Sequence, residues 1–267
     1  MQAGVALSFM PRDFLVPDLD RDVTLYAAAH SSVAPLKVFG SAAWNGRSVF
    51  DRRPLPLTRD VFARFPVDAH ALTVESGALG VRGSLELTVR TLNALTAEST
   101  DTAEVEFFPS PQLTSTVSTD AELLAALKSA KGSGVDHYRI QLSTGTYTFP
   151  AASDPTFAQW DLSSSGVLVT FEPVAGADVV VADSLFYLDW AQWKNITFRG
   201  TQATLVTVPR RSRFVFLDCW FDGSGVAGST GLIVYPDLKI CEIVLEEMIT
   251  DKLDIYDGLP VDVEGGH

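Results

Sequence analysis

Two phrases of this chain recur after twenty-odd residues, and that recurrence constrains the fold more than any other feature. Ile196-Thr197-Phe198-Arg199-Gly200 is echoed by Cys219-Trp220-Phe221-Asp222-Gly223, and Gly223 follows Gly200 by 23 residues. A second echo sets Phe216-Leu217-Asp218-Cys219-Trp220-Phe221 against Leu238-Lys239-Ile240-Cys241-Glu242-Ile243, 22 residues on. Three short strands and three bends fill such a period. Each residue then lies about 4.8 Å from its echo, one strand spacing away. A unit of this kind leaves backbone groups unpaired until the next one stacks on it, so the array is stable only as a stack. On this reading Phe198 lies over Phe221, and Cys219 over Cys241.

The apolar runs around the echoes agree. Val167 to Phe171, Val179 to Val181, Leu185 to Leu188, Leu205 to Val208, Phe214 to Leu217 and Leu232 to Tyr235 recur without helical periodicity. Upstream, Thr119-Asp120-Ala121-Glu122 is a capping-box helix start. Leu123, Leu124, Leu127 and Ala130 form one apolar face, and Lys131-Gly132-Ser133-Gly134 ends the helix. The alternating run Tyr138-Arg139-Ile140-Gln141-Leu142 follows, then a turn, then Thr146-Tyr147-Thr148-Phe149. This helix with its following strand pair resembles the entrance of a right-handed parallel β-helix of the pectin-lyase-like kind. In that family the helix lies over the open end of the coil.

Residues 1–112 read differently. Val23 to Tyr26, Leu36 to Phe39, Ser48 to Phe50, Ala71 to Val74 and Ser84 to Leu92 have strand character, with Asn45-Gly46 as a hairpin turn. Spacing of about ten residues predicts a small antiparallel β-sandwich, Ig-like in type. The first twenty residues, with Pro11 and Pro17, read as an extended arm. The whole chain is therefore expected to be all-β. A sandwich or docking domain spans 1–112, and 113–118 is a linker following the proline pair Pro109 and Pro111. A short parallel β-helix covers 119–236 with its capping helix at 119–131, and an acidic segment covers 237–267. That last segment is read as one more layer of coil followed by a helix or an irregular tail.

Charge excludes one class of partner. The 267 residues carry 20 basic and 33 acidic side chains, for a net charge of −13. Phosphate-backbone binding rests on lysine and arginine displacing counterions, so nucleic acid is not an expected ligand. From Asp237 to His267 nine acidic residues face two lysines. A solvated acidic face is the plainer reading, and a docking surface for a basic partner or divalent cations the sharper one. Two cysteines give no disulfide framework and no thiolate metal site. No window supplies the run of about 18 apolar residues that a membrane span needs. Met1 to Pro11 lacks a basic leader region and does not read as an export signal.

Candidate chemistry is sparse. Hydrolases of the resembled family carry N-T-D, D-D, G-H-G and R-x-K motifs and its lyases W-I-D-H, and none of these occurs here. The carboxylates that could face one groove are Asp183, Asp189, Asp218 and Asp222, against a plainer role at bends or on wet strand faces. Trp160, Trp190, Trp193 and Trp220 could stack on sugar faces, against a role as half-buried packing. His30, His70, His137 and His267 form no pair at ligand spacing, so no metal and no cofactor is expected. Val208-Pro209-Arg210-Arg211-Ser212-Arg213 reads as a solvated basic bend.

By resemblance, the layout implies a non-catalytic virion protein of a bacteriophage: a tail fibre, spike or surface decoration that contacts a receptor or glycan. The N-terminal domain would dock other virion subunits, host surface polysaccharide would be the far partner, and the assembly would be a homotrimer made in the host cytoplasm. The alternative is an extracellular polysaccharide lyase or hydrolase of the β-helix type.

Overall fold

The computed structural model of the chain describes residues 5–10, 14–16, 24–31, 37–54, 57–58, 62–68, 80–92, 99–149, 162, 165–182, 184–185, 188–199, 204–208, 213–222, 230–234, 242–246, 249–250, 253–255 and 262–264. The chain is mostly β with one helix among them, and it divides into two compact units, Met1–Ser110 and Pro111–His267.

The first unit holds β1 (Val5–Met10), β2 (Phe14–Leu15), β3 (Thr24–Ser31), β4 (Lys37–Trp44), β5 (Arg47–Pro54), β6 (Leu57–Thr58), β7 (Phe62–Asp68), β8 (Gly83–Leu92) and β9 (Ser99–Phe107). They make two sheets, ordered β1-β3-β7-β6 and β2-β9-β8-β4-β5. All pairings are antiparallel except β2 with β9. Asn45 and Gly46 adopt φ of 46° and 76°, as the two-residue hairpin turn between β4 and β5 requires. Asn45 Oδ1 also accepts the Ser84 amide at 2.8 Å, which ties the turn to β8. Buried Trp44, Leu85 and Phe107 fill the inner side of the second sheet, with Trp44 and Phe107 rings 5.1 Å apart. The expected arm is corrected here. Val5 to Met10 pairs along β3 and buried Phe14-Leu15 pairs with β9, because these apolar runs have ladder partners and Pro11 only separates them. The strand expected at Ala71 to Val74 lies outside the described residues.

The second unit opens with β10 (Leu113–Val117) and α1 (Asp120–Gly132), then β11 (His137–Leu142), β12 (Gly145–Thr148), β13 (Leu168–Pro173), β14 (Val179–Ala182) and β15 (Ser184–Leu185). It continues with β16 (Trp190–Lys194), β17 (Thr197–Arg199), β18 (Thr204–Val208), β19 (Arg213–Leu217), β20 (Trp220–Asp222) and β21 (Thr230–Val234). It closes with β22 (Glu242–Glu246), β23 (Ile249–Thr250), β24 (Leu253–Ile255) and β25 (Asp262–Glu264). Sheet I is β10-β11-β13-β16-β19-β22-β25, sheet II is β12-β14-β17-β20-β23, and sheet III is β15-β18-β21-β24. Every pairing within them is parallel. From β13 onward the chain visits the sheets in rotation.

Two expectations on segment boundaries change. Residues 113–118 are no linker: Leu113 to Val117 pairs with β11 over five positions, helped by its β-branched threonines and valine. Among the described residues of 237–264 there is no helix, only β22 to β25.

α1 starts as its sequence dictates. Thr119 Oγ1 accepts the Glu122 amide at 3.2 Å, while the Glu122 carboxylate accepts the Ser118 amide at 2.6 Å, one residue earlier than the simple capping box. Leu123, Ala126, Leu127 and Ala130 are buried against the first strands. Asp120 Oδ1 also accepts the Thr148 amide of β12 at 3.1 Å. The helix therefore covers apolar side chains and satisfies a strand edge at once.

Register makes the core columnar. Ile140, Phe171, Trp193 and Phe216 lie one above another in sheet I, as do Tyr147, Val181 and Phe198 in sheet II. Parallel in-register pairing sets the Phe171 and Trp193 rings face to face, 3.9 Å apart and 7° from parallel. Phe198 pairs with Phe221, as the 23-residue echo predicts. The 22-residue echo does not survive: Phe216 pairs with Leu245, a spacing of 29. The chain lengths between strands explain the change. The segments joining β20 to β21 and β21 to β22 are each three residues longer than those joining β17 to β18 and β18 to β19, and the strands themselves keep their lengths. Cys241, the expected partner of Cys219, lies outside the described residues.

Candidate functional site

The four tryptophans separate sharply. Trp193 is 0% exposed, stacked on Phe171 and edge-on to Phe149 and Phe198 at 6.2 and 5.5 Å. It points inward because β16 alternates Ala191 and Trp193 toward the core, so it is a packing residue and not a glycan contact. Trp190 is half-buried, with the Arg213 guanidinium 4.3 Å above its ring from the next strand. Trp220 is 54% exposed, on the side of sheet II opposite the inward column. Trp160 lies outside the described residues.

The carboxylates do not converge. Asp189 sits in the bend before β16, where its carboxylate accepts the Gly166 amide at 3.1 Å and its carbonyl accepts the Arg213 amide at 2.8 Å. Asp218 is exposed at φ 52°, and Asn195, one repeat earlier, has φ 51°. Both close a two-residue bend from sheet I to sheet II, a left-handed conformation that Asn and Asp tolerate better than most residues. Asp222 pairs with Arg199, whose Nε and Nη2 each lie 2.8 Å from Oδ2. Asp183 lies outside the described residues, and no group of three or more His, Cys, Asp or Glu side chains able to hold a metal occurs among the described ones. No described helix is long and apolar enough to cross a membrane.

What the fold does bring together is Trp220, Arg199 and Asp222. Arg199 and Asp222 are in register on β17 and β20, and Thr197 is in register with Trp220. One face of sheet II thus carries an exposed indole beside a charge-neutral ion pair, with Arg199 more than half exposed. An indole face takes apolar C–H surface, and the ion pair offers donors and acceptors at its flank. The repeat itself holds this pairing, because Asp222 follows Arg199 by one 23-residue interval.

Sequence reasoning missed a buried polar row on the other face of sheet I. His137, Thr170 and Gln192 are all 0% exposed. The Thr170 hydroxyl donates to Gln192 Oε1 at 3.2 Å, and His137 Nε2 donates to that hydroxyl at 2.8 Å. Gln192 Nε2 meets no acceptor among the described residues. No periodicity marks such a row, since Thr170 sits in an apolar run. Cys219 is buried, and burial pushes its thiol up to about 12, against weaker opposing hydrogen bonds from the backbone. A neutral thiol of this kind is no nucleophile at ordinary pH.

His30 belongs to β3, while His70 and His267 lie outside the described residues. No protein-family model matches the sequence, and no curated protein matches it significantly.

Proposed function

We propose that the protein is a non-catalytic structural component of a bacteriophage particle, a tail fibre, spike or surface decoration. In this reading the second unit is a short right-handed parallel β-helix, and the first is an Ig-like antiparallel sandwich that docks other virion subunits. The observation that carries the proposal is the layout: an antiparallel unit followed by three parallel sheets visited in rotation beneath a capping helix. Trp220 with the Arg199–Asp222 pair supplies the glycan-contacting surface. The carboxylates Asp189, Asp218 and Asp222 support a non-catalytic reading, because each is engaged at a bend or in an ion pair.

Antiserum against the full chain tests this directly. It should label intact particles released by lysis of the source cells, and light scattering of the purified chain should give the mass of a trimer. Incubation with uronate polysaccharides should leave the ultraviolet absorbance of unsaturated products flat. Unlabelled particles together with a rising absorbance would replace the proposal with a polysaccharide lyase.

A further inference from the structure

Trp190 and Trp220 are the described tryptophans that reach the surface, and they differ in what already occupies their rings. The Trp190 ring carries the Arg213 guanidinium 4.3 Å above it. Among the described residues no ring or guanidinium stacks on Trp220, which is 54% exposed. Its neighbour across the ladder, Thr197, is too short to cover an indole. An open aromatic face of this kind takes the C–H side of a pyranose ring.

The groups around Trp220 decide what charge its ligand can carry. Arg199 lies on the same face, and its Nε and Nη2 are both spent on Asp222 Oδ2 at 2.8 Å. The Asp222 side chain is 13% exposed and that of Arg199 58%, so the carboxylate is sheltered while the guanidinium still turns N–H groups to water. Asp218, exposed in the bend two residues before Trp220, adds a negative charge. The row in register with Trp220 runs through Thr197 and Val180 to Thr146 and carries no charge. A carboxylate-bearing sugar at Arg199 would have to displace Asp222 or lie beside it, and like charges so placed disfavour binding. A sugar hydroxyl accepts the remaining N–H groups without that repulsion.

We propose that the Trp220 site takes an uncharged saccharide, with a pyranose stacked on the indole and its hydroxyls on Arg199, and that Asp222 excludes acidic sugars. The inference rests on the glycan-contact reading of this surface and is independent of the virion assignment.

Native electrophoresis of the full chain through gels containing a dissolved polysaccharide tests it, with glucan, galactan and mannan as neutral probes and polygalacturonate as the acidic one. At least one neutral polymer should retard the wild-type chain, with an apparent affinity about tenfold or more above that for polygalacturonate. Trp220→Ala should weaken this retardation about tenfold or more, with its circular dichroism unchanged. Asp222→Asn frees the Arg199 charge and should bring on retardation by polygalacturonate that weakens as salt is raised. Stronger retardation by polygalacturonate than by every neutral probe, lost in Trp220→Ala, overturns the inference and leaves the glycan contact standing. No retardation by any probe, or retardation that Trp220→Ala leaves unchanged, overturns both. An Asp222→Asn chain that gains nothing for polygalacturonate overturns the exclusion assigned to Asp222.

Discussion

Replacing Trp193 with alanine removes an indole from the middle of the inward column of sheet I, where it touches Phe171 face to face and Phe149 and Phe198 edge-on. An aromatic side chain of this kind buries about 150–250 Å². At about 25 cal/mol per Å² that surface is worth about 4–6 kcal/mol. Core truncations of Phe and Trp to alanine cost about 3–5 kcal/mol, since some of the cavity collapses. We expect about 4 kcal/mol here, because the flat neighbour Phe171 cannot move into the space without leaving its own register with Ile140. With a urea dependence of about 2 kcal/mol per M, the unfolding midpoint should fall by about 2 M. Far-ultraviolet dichroism on urea titration reads this out, and Trp193→Phe, which keeps a stacked ring, should lose less than half as much. Trp220→Ala is the control, since a residue 54% exposed should change stability by no more than about 0.5 kcal/mol. Equal midpoints for Trp193→Ala and wild type, or a larger loss in Trp220→Ala, would refute the assignment of which tryptophan is core.

Three further outcomes are expected. Thr119→Ala removes the oxygen that accepts the Glu122 amide and should cost about 1 kcal/mol, measurable in the same titration. Thr170→Val removes the hydroxyl that bridges His137 Nε2 and Gln192 Oε1 in a fully buried site, and should cost about 1–3 kcal/mol. Cys219 has a folded pKa raised from 9.0 to about 12, so its contribution is complete below pH 9 and declines as pH rises from 9 toward 12. Unfolding midpoints at pH 8, 9.5 and 11 should therefore fall less in Cys219→Ala than in wild type, and iodoacetamide should modify Cys219 only after unfolding.

The second unit was readable where periodicity carried the information. The capping box at Thr119 and the 23-residue echo arise from local backbone chemistry and from strand stacking, and both recur in the structure. The 22-residue echo failed because Phe216 and Leu238 match in residue type, while register follows the length of the intervening bends. Leu113 to Val117 passed for a linker because prolines precede it, yet its pairing with β11 depends on residues twenty-five positions away. The candidate site divides along the same line. Strand alternation on β16 and β20 assigns Trp193 inward and Trp220 outward, but only once the strand limits are known.

The lengthened bends after β20 carry a wider implication. Strands of sheets I and II stay in register while the segments leading to and from sheet III lengthen, so the length of a connection varies at little energetic cost. Each such insertion erases a piece of the regular spacing while the strands keep their parallel register. Kinship among chains built this way would be written in which side chains face inward, and a search keyed to fixed intervals would pass over it.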